Sequence, residues 1–178
     1  MRKIRAKHQK AVKPEAFFES KKNIMITGAI LVVVMLIIGV FLYIENTDSK
    51  IVLKNKTDLT VEYVKAYYVG PEEAYTEGIK VDDLTPGETV SLPQETINLL
   101  GAEANLEIRF KIEGYDEMLA DAGFFNDIFS GKITLDFVPV EEGKIELKVK
   151  AKPGIFGSNR IVCDDYYTIN LVEGYIED

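Results

Sequence analysis

The chain has 178 residues, a formal net charge of −8, one cysteine, one histidine and no tryptophan. One cysteine forms no intrachain disulfide. With the histidine at position 8, the long C-terminal part has neither a Ser–His–Asp triad nor a Cys/His zinc set.

Charge is segregated along the chain. Residues 1–23 carry Arg2, Lys3, Arg5, Lys7, Lys10, Lys13, Lys21 and Lys22 against Glu15 and Glu19, a net of +6. Arg2 to Lys13 suits a short helix, which Pro14 either interrupts or follows as the start of a second turn, and His8 reads as solvated. Residues 24–44, IMITGAILVVVMLIIGVFLYI, hold no charge. As a helix this run is about 31 Å long, the thickness of a bilayer's hydrocarbon layer. A lone segment satisfies its backbone in lipid only as a helix, so a transmembrane helix is expected at 24–44. Gly28 and Gly39 are too far apart for a Gly-x-x-x-Gly contact, and no charge marks a transport path. The run therefore reads as an anchor. Its exit, Tyr43-Ile44-Glu45-Asn46, lacks a small-x-small cleavage pattern, so an uncleaved signal anchor is expected.

From residue 45 onward there are 13 basic and 27 acidic residues, a net of −14. Positive charge beside a first membrane helix stays inside. The expectation is a single-pass plasma-membrane protein with a cytoplasmic N-terminus and an extracytoplasmic C-terminal domain. An acidic body is a poor fit to nucleic acid or to an anionic wall polymer. Residues 45–50 (ENTDSK) read as a short stalk and 51–178 as one domain. Asn55-Lys56-Thr57 is an Asn-x-Thr sequon.

Within that domain the period is two. Ile51–Leu53 reads as a strand and Asn55–Asp58 as a turn. Leu59, Val61 and Tyr63 alternate with polar residues, and the apolar set then shifts to Val64, Ala66 and Tyr68. A one-residue shift predicts a bulge near Tyr63–Lys65. Gly70–Gly78 reads as a loop and Ile79–Val81 as a short strand. In Leu84-Thr85-Pro86-Gly87-Glu88 the Pro-Gly pair marks a turn, and Thr89–Leu92 follows as a strand. Pro93–Thr96 is expected to open a helical turn carrying Ile97, Leu99 and Leu100. Leu106–Ile112, Ile133–Phe137 and Ile145–Val149 alternate strictly, the last two joined by a hairpin at Val140–Lys144. Asn159–Cys163 and Tyr167–Leu171 complete the set. Short alternating strands with regular turns predict a mainly β fold: an N-terminal transmembrane helix, then an antiparallel β-sandwich of Ig-like or fibronectin-like architecture. Tyr115–Gly131 breaks the pattern and reads as helical turns or a long inter-strand loop.

The wording Asn55-Lys56-Thr57-Asp58-Leu59-Thr60-Val61, followed by Leu84-Thr85-Pro86-Gly87-Glu88, resembles small extracytoplasmic β-sandwich domains of Gram-positive bacteria held by one N-terminal helix. The resemblance covers about a third of the outer domain. It implies a bacterial source and carries no catalytic residues across.

No motif in the chain requires catalysis or a cofactor. The carboxylate pairs Glu72-Glu73, Asp82-Asp83, Glu141-Glu142 and Asp164-Asp165 sit on neighbouring positions, which face opposite ways on a strand. They read as acidic surface, with Asp82/Asp83 and Asp164/Asp165 as the places where calcium would find oxygen ligands. The expected role is a non-enzymatic binding or accessory module. It contacts lipid through residues 24–44 and engages an envelope or membrane protein, or a ligand, beside the membrane. The alternatives are a carboxylate-based envelope hydrolase and a structural subunit of a membrane complex. Candidate partner-binding residues are Phe124, Phe125, Ile128 and Phe129 as an exposed patch, with Tyr67, Tyr68 and Tyr75 as a second group. Alternatively, the phenylalanines cap the core. Cys163 is either buried or paired with another chain.

Overall fold

The computed structural model describes residues 21–141 and 143–177, so most of the basic arm at 1–23 lies outside the described residues. The chain divides into two units between Tyr43 and Ile44.

Helix α1 runs Lys21–Asp48, and its segment Lys21–Ile44 is long and apolar enough to cross a membrane. The stalk expected at 45–50 covers the end of this helix and the start of the first strand. Glu45-Asn46-Thr47-Asp48 contains no Gly or Pro to stop propagation, and the helix continues through it. Ser49 alone separates α1 from the first strand.

The second unit is mainly β. Its strands are β1 (Lys50–Asn55), β2 (Val61–Val69), β3 (Ile79–Leu84), β4 (Thr89–Pro93), β5 (Ile97–Asn98), β6 (Ala104–Ile112), β7 (Glu117–Phe125), β8 (Ile128–Phe129), β9 (Gly131–Glu141), β10 (Lys144–Pro153), β11 (Cys163–Asn170) and β12 (Tyr175–Glu177). They form a six-stranded sheet, β12-β11-β10-β9-β1-β4, and a four-stranded sheet, β3-β2-β6-β7; β5 and β8 pair separately. All pairings between strands are antiparallel except β1–β9, which is parallel and registers Ile51 on Ile133 and Leu53 on Leu135.

The alternating segments bury one face each. Leu106, Ile108, Phe110 and Ile112 from β6 meet Ile133, Leu135 and Phe137 from β9, and Ile145, Leu147 and Val149 from β10, in one core. Phe110 and Phe137 pack edge to face at 5.3 Å across it, an arrangement that suits the ring quadrupoles. The bulge expected near Tyr63–Lys65 lies at the start of that stretch, as a register shift between Val61 and Tyr63 against β6. Gly87, at φ 77°, turns the chain from β3 in one sheet to β4 in the other, and β9 and β10 pair as an antiparallel hairpin.

Three readings need correction. Asn159–Cys163 is not a strand: residues 159–160 are a turn, 161–162 are irregular, and β11 begins only at Cys163. Tyr115–Gly131 is neither helix nor long loop: most of it is β7, paired with β6. Its inward residues are Met118, Ala120, Ala122 and Phe125, while Leu119 and Phe124 point out. Small alanines inside and a leucine outside hide the period of two. Likewise, Ile97 begins no helical turn; it pairs with Phe129 as β5 on β8. That partner lies 32 positions away in the numbering and leaves no local signal.

Asn55 is fully buried. Its Nδ2 donates to the carbonyls of Leu59 (2.8 Å) and Leu84 (2.9 Å). Its Oδ1 accepts from the Thr57 backbone N–H (3.0 Å) and hydroxyl (2.7 Å). The sequon asparagine is thus an interior strut that ties the end of β1 to the end of β3.

Candidate functional site

The two sheets are joined differently along their two sides. On one side β7 meets β11: the Gly123 N–H donates to Asp165 Oδ2 at 2.7 Å, and the Tyr167 hydroxyl donates to the Asp121 carbonyl. Gly123 lies at φ 63° against Cys163, a conformation that favours glycine. On the other side the edge strands are β3 and β4, and a cleft of about 430 Å³ opens there. This is the size of a small-ligand site.

The cleft reaches the core. Ile51, Ala66, Leu106 and Ile133 line its depth, and Tyr75–Ile79 and Pro93–Ile97 form its walls. One polar pair stands inside. Gln94 Nε2 donates to the Tyr68 hydroxyl at 2.8 Å. Gln94 Oε1 is buried and accepts no hydrogen bond. A buried acceptor left unmade costs about 1–3 kcal/mol; the atom is covered even with the cleft empty, so an occupant that donates to it reaches it only once the Gln94 side chain turns. The Tyr68 ring is wedged edge-on against Phe125 at 5.0 Å, and Phe125 against Phe129 at 5.4 Å. Burial pushes the Tyr68 phenol well above its ordinary pKa, so it stays a neutral donor and acceptor. The wall is pinned by backbone bonds: the Tyr68 N–H donates to Thr76 Oγ1 (3.1 Å), and the Tyr75 N–H to the Tyr68 carbonyl (2.8 Å). Such an arrangement can hold an apolar group and orient it by one hydrogen bond.

The seven sequence-derived candidates scatter. Phe125 and Phe129 are 0% exposed and belong to the core, the other placement open to them in the sequence. They support the cleft from behind. Phe124 and Ile128 remain at the surface, 51% and 37% exposed. Tyr68 is interior but faces the cleft, and Tyr75 sits at its mouth. Tyr67 is on the opposite face of β2. Its hydroxyl accepts from Arg109 Nε (2.8 Å) and donates to Glu107, and Arg109 reaches Glu117 at 3.1 Å. That outer ladder is separate from the cleft. Gln94, Thr76 and Thr96 were invisible in the sequence, because Pro93–Thr96 read as a helical turn and nothing local shows that β4 is an edge.

The calcium candidates part as well. Asp82 pairs with Lys80 (2.6 Å) and Asp164 with Lys150 (2.5 Å), while Asp165 turns inward to Gly123. Among the described residues no three His, Cys, Asp or Glu side chains come together as a metal-binding group.

Cys163 is free and buried. Burial, with Asp165 beside it, pushes its thiol up to about 12. Thiolate is the reactive form. Maleimide labelling of the native full chain at pH 7 is expected to run more than about a hundredfold slower than labelling in denaturant. Equal rates would place the thiol at the surface.

No protein-family model, no curated protein and no solved structure matches the chain.

Proposed function

We propose that the chain is a single-pass membrane-anchored binding module. Its N-terminus is cytoplasmic, and its extracytoplasmic β-sandwich, of Ig-like or fibronectin-like type, engages a ligand or an envelope protein beside the membrane. α1 supports the anchor, since its apolar span is not buried against the rest of the protein and needs a nonaqueous surrounding. The basic arm before it and the acidic body after it support the orientation. The cleft between β3 and β4 carries the binding reading through one observation: an apolar cavity that holds an unpartnered buried acceptor, Gln94 Oε1. Its occupant is an apolar group bearing one N–H or O–H donor. Glu77 and Glu95 at its walls favour an occupant without negative charge.

A photoreactive residue at Thr76 or Thr96, with a control at Lys111 on the outer face of the four-stranded sheet, tests this in intact membranes. Adducts are expected from both wall positions and not from the control. Gln94→Leu removes the acceptor while keeping bulk. It is expected to abolish the adducts while shifting stability by no more than about 1 kcal/mol, since the relieved acceptor offsets the lost bond to Tyr68. Absence of adducts at both wall positions, or adducts unchanged by Gln94→Leu, overturns the reading.

A further inference from the structure

The outer face of the six-stranded sheet is laced with ion pairs over most of its length. Lys56 meets Asp136 (2.6 Å), Lys148 meets Glu146 (3.0 Å) and Lys150 meets Asp164 (2.5 Å). At one end the pattern changes. Lys50, Lys132 and Lys152 stand directly across from one another on β1, β9 and β10, and none forms an ion pair among the described residues. Neighbouring strands are about 4.8 Å apart, so three like charges fall within roughly 10 Å. Like charges directly opposite one another destabilise a sheet, and this row stands in a body of net charge −14.

The row is also shaped. The three lysines, Ser49, Gly131, Pro153 and Gly154 enclose a concavity of about 280 Å³. Its floor is backbone. A Cβ on Gly131 would run into the Lys152 carbonyl and the Gly154 nitrogen, so the backbones of β9 and β10 close against each other there. Ser49 Oγ accepts from the Gly131 N–H at 3.1 Å, and the Gly154 N–H donates to the Ser130 carbonyl at 2.6 Å. These bonds fix the three strand ends that carry the lysines.

We infer that this basic hollow binds the phosphate groups of anionic phospholipid headgroups and seats the domain on its own membrane. The inference rests on the membrane-anchored reading above. Its second support is chain length. α1 continues four residues beyond Ile44, and Ser49 then leads to Lys50. That path is at most about 13 Å from the last apolar residue, against a headgroup layer about 5–8 Å thick on each side, so Lys50 is tethered within several ångströms of the headgroups. An acidic body is repelled by an anionic surface, and the row supplies a face that such a surface attracts.

The test uses the full chain in nanodiscs and amine acylation read residue by residue. In discs of phosphatidylcholine with phosphatidylglycerol, Lys50, Lys132 and Lys152 are expected to react about fivefold more slowly than in phosphatidylcholine discs. Lys80 and Lys111 should not change, and the protection should fall in high salt. Equal reactivity of the three lysines in both discs overturns the inference. So does equal protection by inorganic phosphate added to phosphatidylcholine discs, which would make a soluble phosphate the ligand. Failure of the chain to co-float with phosphatidylcholine vesicles would overturn the anchor itself, and is read separately.

Discussion

Phe125→Ala is expected to lower the unfolding free energy by about 3–5 kcal/mol, the cost of deleting a fully buried phenylalanine. The ring touches both Tyr68 and Phe129, at the junction of β7 with the wall of the cleft, and the alanine leaves a void that neither neighbour can fill without leaving its rotamer. Phe124→Ala, one residue away but pointing outward, is expected to change stability by no more than about 0.5 kcal/mol. Urea titration of the full chain in detergent, followed by tyrosine fluorescence, measures both. Similar small shifts for the two variants would put Phe125 on the surface and return it to the list of contact residues. A second consequence follows from Tyr68: when Phe125 no longer braces its ring, the Gln94 acceptor is no longer held in place, so wall-position adducts should weaken in Phe125→Ala even where the domain stays folded.

Asn55 is the other position where a small change should have a large effect. Its amide makes four hydrogen bonds in the interior, two as donor and two as acceptor. Asn55→Ala strips partners from buried carbonyls at Leu59 and Leu84, and a loss of about 2–4 kcal/mol is expected. Asn55→Asp is nearly the same shape but replaces two donors by acceptors that face those carbonyls, so it should be more destabilising than alanine at neutral pH. Part of that excess should disappear in acid, where the carboxyl is protonated and donates once. Thr57→Ser keeps the hydroxyl that bonds Asn55 and should cost less than about 1 kcal/mol. If Asn55→Asp is tolerated as well as Thr57→Ser, the side chain is not the strut that its geometry describes.

Both variants expose what a linear reading can and cannot reach. Leu106–Ile112, Ile133–Phe137 and Ile145–Val149 declare themselves because alternation with charged residues is a local property, and their strands form where the alternation runs. The Pro86-Gly87 turn and the Val140–Lys144 hairpin are equally local. Asn55 also reads correctly as the opening of a turn, since asparagine bonds its own backbone two residues on. That it is buried, and that its amide reaches Leu84, depends on where β3 ends, which no neighbour in the chain reports.

An apolar helix between a basic and an acidic part, and a β fold with most of its strands, are legible in the order of residues, because hydropathy and its period act over a few residues. Tertiary structure alone decided that β1 lies parallel to β9, that β7 is a strand with alanines inward, and that β3 and β4 are left as facing edges. It also decided that Gln94 has a buried atom with no partner and that three lysines from separate strands share one hollow. These are matters of which strand finds which, and pairing is set by the joint burial of residues up to 82 positions apart. The cleft and the hollow exist only after that choice is made.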